Sequence, residues 1–367
     1  MSAVTRFIPQ FTAGQQRYHV NSTNTITGYL KCDGSVVAQA TYPSLYAQVG
    51  LIVDGNVNGT WTARTFGSTS TITSLAYGNG LYLAAGSITS LEMLRSSTNA
   101  ISWSPVTDAV TRVIYAITYA GGIFITGGDN GELSTSADGV TWTARTSGTG
   151  FSNIYGFTYA NGLHVYCGAA GVIATSTDAI TWTARTSGTT SSIWSLTYGN
   201  GLYVYGGSGG VLATSTDAIT WTARTSGTTS IIYTLTYGNG LFVYSGSGNL
   251  LATSTDAITW TARTGLSPSN DIRALSYNSN LYVYGGQFGI IATSTDAITW
   301  TARTTGTTSQ INALIYGNGI FVYGTSLGGV GTASQFTYNS TTNFLLPTTS
   351  TILGNNANTP QAYIKTS

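Results

Sequence analysis

The thirteen letters ATSTDAITWTART at 174–186 recur unchanged at 213–225, 252–264 and 292–304. A chain that rewrites one segment at a fixed interval must fold as a stack or ring of equivalent units. Trp marks the period, at Trp61, Trp103, Trp142, Trp182, Trp221, Trp260 and Trp300, with spacings of 42, 39, 40, 39, 39 and 40 residues. A second marker runs in step: Tyr77, Tyr119, Tyr159, Tyr198, Tyr237, Tyr277 and Tyr316. Within 191–225 the runs SSIWSLTY, LYVYG, VLATS and ITWTART are separated by GNG, GSGG and TDA. Alternating polarity, β-branched and aromatic enrichment, and Gly or Asn at the turns predict hairpins. No helical period interrupts 60–331. Four antiparallel strands per unit of this length predict a β-propeller blade; the coils of a β-solenoid, the competing architecture, are usually shorter.

The ends of the repeat set the number of blades. Trp61 stands in TWTART with no earlier repeat strands, and 311–334 supplies three strands with no WTART after them. Six complete units and one split unit predict seven blades, with the N-terminal strand at 60–65 closing the last. Closure removes the exposed edges of an open sheet and brings the chain's entry beside its exit.

The repeated parts read as frame. STDAITW resembles the Asp-box turn of sialidase-like propellers, one residue shorter here. Asp138, Asp178, Asp217, Asp256 and Asp296 each precede a Trp by four residues, and Asn99 replaces Asp in the first unit. A short Asp or Asn side chain can cap its own turn by accepting backbone N–H bonds. The Trp is expected to pack between sheets with its ring N–H on a carbonyl. Arg64, Arg145, Arg185, Arg224, Arg263 and Arg303 occupy one position of the outermost strand, so they cannot converge on one substrate and read as structural.

The unrepeated parts carry the candidate site. Five residues before each marker Tyr stands an Ile, and two before it an apolar residue, both expected in the core. Four before it the units differ: Thr73, Tyr115, Tyr155, Trp194, Tyr233, Arg273, Asn312. Six before it they differ again, with Asp271 and Gln310 in the last two. The first strand of a blade lines the central channel. These positions therefore predict an aromatic arc of Tyr115, Tyr155, Trp194 and Tyr233, completed by Arg273, Asp271, Asn312 and Gln310. Aromatic faces with a few oriented polar groups suit sugar-like ligands; the same rings could equally fill the interfaces between blades. Arg112, Asp108, Asp129 and Glu132 fall in nearby loops and read as solvated charges.

Composition narrows the functional classes. Charged residues make up 7% of the chain, 13 basic and 12 acidic, against about 25% in ordinary domains. The net charge of +1 gives no basic patch for nucleic acid. The first twenty residues lack a signal-peptide pattern, and no 18-residue apolar run predicts a membrane helix. Cys32 and Cys167 are expected to be free thiols, as suits assembly in a reducing cytoplasm. His19 and His164 have no metal-ligand spacing with them; His164 takes a second-strand position held elsewhere by Tyr or Phe and reads as a packed ring. The Gly-rich turns lack a following Gly-Lys-Ser/Thr, so they are not phosphate loops. No cofactor, metal or catalytic residue is expected.

Outside the repeats, 28–50 reads GYLKCDGSVVAQATYPSLYAQVG, with a short helix expected from Thr41 to its terminator Gly50. The other flank, 336–365, reads FTYNSTTNFLLPTTSTILGNNANTPQAYIK. Gly28, Leu30, Cys32, Asp33, Gly34, Thr41, Tyr42, Leu45 and Gly50, then Phe344, Leu346, Pro347, Tyr363, Ile364 and Lys365, resemble the motifs of the phage tail collar domain. Tyr29 stands where that family usually has Trp, and Thr348 where Asp often follows Leu-Pro. A propeller with adjacent ends can be inserted in another domain's loop. The expected organisation is an N-terminal arm at 1–27, a discontinuous collar-like domain at 28–57 and 336–367, and an inserted seven-bladed propeller at 58–335. The arm grips a neighbouring virion protein or is a frayed terminus.

The resemblance implies a structural component of a bacteriophage tail, located in the virion. Its implied partners are other tail proteins and, through the propeller, a host-surface glycan or receptor; a homo-oligomer, such as a trimer, is expected. A free lectin-like propeller is the alternative. A sialidase-like glycosidase needs three convergent Arg and a Tyr activated by Glu, whereas the Glu residues here, Glu92 and Glu132, fall between later strands. Paired catalytic carboxylates are not evident either.

Overall fold

The computed structural model describes residues 61–86, 94–106, 113–265, 270–278 and 280–334, together with five short strands flanking them. The chain divides into two compact units, Thr60–Ala333 and the joined segments Met1–Gly59 and Ser334–Ser367.

The larger unit is an all-β propeller of seven blades, each a four-stranded antiparallel sheet ordered from channel to rim. We number the blades by first strand: Ile72–Gly78, Ile114–Ala120, Ile154–Ala160, Ile193–Gly199, Ile232–Gly238, Ile272–Asn278 and Ile311–Gly317. Blade 7 takes three strands from 311–334 and its fourth, Thr62–Arg64, from the N-terminal side, with Val330 opposite Arg64 and Thr332 opposite Thr62. The ring thus closes by sheet hydrogen bonds.

The core lies between blades. The marker Ile residues are buried completely or nearly so. One apolar cluster joins Ile72, Leu75 and Tyr82 of blade 1 to Ala313, Val322 and Val330 of blade 7. Hydrogen bonds cross the same interfaces: the Tyr82 hydroxyl donates to the Gly317 carbonyl at 2.6 Å and the Tyr203 hydroxyl to that of Ala160 at 2.8 Å. The bonded hydroxyl lets a large ring be buried without stranding a polar atom.

The Asp turns explain why the frame is repeated. The Asp178 carboxylate accepts the backbone N–H groups of Ile180 and Thr181, both at 2.8 Å, and the Ser176 hydroxyl at 2.9 Å. Asp217, Asp256 and Asp296 do the same, and Asn99 substitutes through its carbonyl oxygen. The sequence expectation that ITWTART is one strand is therefore too long. Ile219 and Thr220 give their N–H groups to Asp217 instead of a ladder, and the strand is Thr222–Arg224. The ring N–H groups of Trp142, Trp182 and Trp260 donate to the turn carbonyl three residues back at 3.2–3.3 Å. The same group in Trp61, Trp103, Trp221 and Trp300 has no acceptor among the described residues, contrary to expectation. At that length, close to the limit of a hydrogen bond, a small shift of the ring is enough to lose it. Each WTART arginine donates through Nε to a threonine on the neighbouring third strand, as Arg185 does to Thr175 at 2.9 Å and Arg64 to Thr332 at 2.8 Å.

In the flanking unit, Tyr29–Lys31 pairs with Ala362–Lys365, which also pairs with Gln16–Tyr18; Val36–Ala38 pairs with Asn343–Leu345. Strands from before and after the propeller in the sequence thus share ladders, with Leu30 opposite Ile364. The expected helix after Thr41, Cys32, His19 and most of the expected arm lie outside the described residues.

The channel mouth as candidate functional site

Every first strand begins with the same irregularity. In blade 4, Ile193 pairs with Gly207 and Ser195 with Gly206, so Trp194 has no partner opposite it. The same skip falls at Thr73, Tyr115, Tyr155, Tyr233, Arg273 and Asn312. The seven variable positions are seven β-bulges, and a bulge turns its extra side chain out of the regular alternation. A glycine opposite makes room in most blades: a Cβ on Gly207 would stand 2.1 Å from the Ser192 carbonyl oxygen. Blade 7 uses Thr325 at that place.

The bulged side chains gather at one end of the central channel, around a cavity of about 550 Å³. Tyr155 stacks on Trp194, with ring centroids 4.3 Å apart and planes 16° from parallel. Tyr115 meets Tyr155 edge-on at 5.3 Å, and Tyr233 meets Trp194 edge-on at 6.4 Å. The Arg273 guanidinium then lies 4.2 Å from the centre of the Tyr233 ring. Tyr115, Tyr155, Trp194, Tyr233, Arg273, Asn312 and Gln310 all line the cavity. Asp271 does not: it is buried behind Arg273, which it holds at 2.9 Å. The rings therefore fill space between blades, as one of the two sequence readings expected, without being wholly buried there. They pack on one another between blades, and they remain half-exposed at the cavity.

The polar side of the mouth is tightly bonded. Asp271 accepts the Gly248 N–H at 3.0 Å and the Ser247 hydroxyl at 3.1 Å, besides Arg273 Nη2. Burial alone would push its carboxyl up, but these three donors outweigh it and hold it below the usual carboxylate range. Arg273 Nη2 also donates to the Tyr233 hydroxyl at 3.2 Å. Asn312 donates to the Ile72 carbonyl at 3.1 Å and accepts from Gln310 Nε2 at 2.6 Å, while Thr73 donates to the Ile114 carbonyl at 2.6 Å.

A second set of mouth residues escaped the sequence reading. In blades 2 to 7 the first residue after the second strand hangs its N–H on the carbonyl two residues before the bulge, as Ser208 does on Ser192 at 2.9 Å. Ser208, Ser247, Gln287 and Ser326 stand at this place. Ser208 accepts the Trp194 ring N–H at 2.9 Å, Gln287 accepts the Asp271 N–H, and the Ser326 carbonyl accepts the Thr71 hydroxyl. The available signal was that this residue also varies between otherwise identical units. Phe151, Phe288 and Leu327 sit in loops on the same face and are strongly exposed. Asp129 also stands here, whereas Glu132 opens the third strand of blade 2 instead of lying in a loop. Asp108, Arg112 and Glu92 lie outside the described residues.

Strand alternation fixes the two faces. The loops after the second and fourth strands share the face with the bulges. The Asp turns share the opposite face with Trp61, just before the strand that closes blade 7, and with the end of Val330–Ser334. Both ends of the propeller therefore open away from the channel mouth. His164 is buried within blade 3 with its ring 4.4 Å from Tyr159, and Cys167 is a buried free thiol. Among the described residues no three His, Cys, Asp or Glu side chains cluster as a metal would require, and no helix is long and apolar enough to cross a membrane.

These features define a seven-bladed propeller with a side-chain-lined channel mouth. The DUF6242 beta propeller domain family matches residues 58–194. No curated protein sequence matches the chain. Among solved structures, the chain is similar to YCF48 bound to D1 peptide, at 16% identity and a TM-score of 0.63, over 78% of this chain and 98% of that one. It is similar to virginiamycin B lyase from Staphylococcus aureus, at 11% identity and a TM-score of 0.65, over 76% and 99%. The WD40 beta propeller domain of Doa1 matches at 10% identity and a TM-score of 0.62, over 78% and 99%. At such identities the likeness establishes the fold alone. An enzyme stands among these neighbours, so the shared fold does not settle whether the chain is catalytic.

Proposed function

We propose that the chain is a structural component of a bacteriophage tail, in a fibre, collar or baseplate-associated assembly within the virion. In this reading the flanking segments attach to other tail proteins, and the channel mouth meets a host-surface glycan or receptor, or a virion partner. The observation that carries it is the division of the two propeller faces. Both ends of the propeller open on one face, and all seven bulged side chains gather on the other. The flanking resemblance to tail collar motifs supplies the setting, and the ladder between Tyr29–Lys31 and Ala362–Lys365 supports treating the two flanks as one unit.

The role is one of binding and scaffolding, without catalysis or cofactor. The buried carboxylate behind the mouth, Asp271, is already committed to Arg273, Ser247 and Gly248, which suits positioning better than proton transfer. Turnover of a fluorogenic glycoside by the full chain would overturn that part. Mass spectrometry of purified phage particles tests the rest: the chain is expected among the tail proteins, in a copy number set by a homo-oligomer such as a trimer. Its absence from particles would defeat the proposal.

A further inference from the structure

Arg273 differs from the other described arginines. Six pair with threonines across their own sheets, and Arg95 is buried in blade 1 with its guanidinium on the carbonyls of Phe66 and Gly67. Arg273 alone among them lines the channel cavity. Its Nη2 is engaged by Asp271 and Tyr233, which leaves Nη1 without a partner among the described residues. Yet its charge is spent: Asp271 sits at 2.9 Å, and Asp129, on the same face, adds a second negative charge. Among the described residues the mouth thus has no surplus positive charge with which to draw an anion. It has instead the Arg273 donor, amides at Gln310 and Asn312, the Thr73 hydroxyl, and a continuous aromatic arc.

We infer that the channel mouth takes an uncharged saccharide. The C–H face of the sugar packs against the half-exposed Tyr and Trp rings, and its hydroxyls hydrogen-bond to Arg273 Nη1 and the neighbouring amides. Arg273 acts there as a hydrogen-bond donor fixed by Asp271, not as an anion trap. The inference rests on the reading that the mouth is the contact face.

The test uses the full chain on an array that pairs uncharged hexose and N-acetylhexosamine oligosaccharides with their sialylated, uronylated and sulfated counterparts, at low and high salt. Uncharged members are expected to bind with affinity little changed by salt, since no ion pair forms. Trp194→Ala and Arg273→Gln should each weaken binding roughly tenfold or more with the melting transition retained. Should Trp194→Ala not fold, Arg273→Gln decides alone. Preference for the acidic counterparts, steep loss of binding with salt, or no saccharide binding at all would overturn the inference. Adsorption to host cells of particles carrying Arg273→Gln separates the two claims. Lost adsorption without binding of uncharged sugars sinks the inference and spares the tail reading; sugar binding that the variant weakens, alongside unchanged adsorption, spares the inference and removes host contact through the mouth from the tail reading.

Discussion

The ring of Tyr77 lies over the backbone of Gly317, so the first strand of blade 1 seals directly on the first strand of blade 7. A Cβ on Gly317 would stand 2.3 Å from Tyr77 Cγ. The same contact recurs inside the ring, with Tyr119 over Gly78, Tyr237 over Gly199 and Tyr277 over Gly238. The seam where the chain closes is thus built like the joints within it.

Gly317→Ala should therefore destabilise the propeller by about 1–3 kcal/mol, the usual effect of forcing a methyl group into a packed contact. Gly199→Ala should behave alike. Thermal unfolding of both variants checks this; a Gly317→Ala protein melting with the wild type would mean that the seam is looser than its equivalents.

The Asp turns predict the acid limb of stability. Hydrogen bonds from Thr141 and Val140 N–H hold the Asp138 carboxyl down at about 2, and those from Thr181 and Ile180 do so for Asp178. A carboxyl whose pKa is lower folded than unfolded contributes stability that is full above its unfolded value of 3.8 and is lost as pH falls toward 2. Since Asn99 makes the same turn without a charge, replacing the five turn aspartates by Asn should keep the fold at neutral pH and flatten the melting temperature below pH 4. An unchanged acid limb would place the titration elsewhere.

His164 predicts a separate, milder window. Burial lowers its pKa below the ordinary 6.5, against an opposing pull from Asp178. The folded state therefore resists protonation that the unfolded chain accepts. Stability should be full above pH 6.5 and decline as pH falls below it, until the folded imidazole also titrates. His164→Phe, which installs the residue that blades 2, 5 and 7 carry at this place, should abolish that slope in melting curves taken between pH 7 and 5.

Cys167 is fully buried, and burial pushes its thiol up. Iodoacetamide should label it only after unfolding, a result read on the Cys167 peptide by mass spectrometry. Labelling of the folded protein would reveal opening of blade 3.

The spacing of Trp and Tyr made the blade count and the closure by Thr62–Arg64 legible, because both follow from where the repeat breaks at each end. The site was half legible. Differences among Tyr155, Trp194, Tyr233 and Arg273 marked positions that line the cavity, but not why they face it. The bulge depends on the strand opposite, where paired glycines such as Gly206 and Gly207 admit the extra residue, and strand periodicity counted along one run does not register that. Ser208, Ser247, Gln287 and Ser326 were missed because they stand in a turn that reads as punctuation. Asp271 was placed in the ring although its side chain turns inward to Arg273.

Each bulged residue has no opposite number in the ladder, and that frees it from the sheet's register. Trp194 or Arg273 can be exchanged without moving the register of its own ladder, whereas a change at Ile193 or Gly207 disturbs the joint between blades. The mouth can thus vary at its bulges while the ladders keep their register, each exchange being felt by the neighbouring bulge it touches, as Tyr155 touches Trp194. The chemistry of the mouth is thereby uncoupled from the pairing that holds the scaffold together.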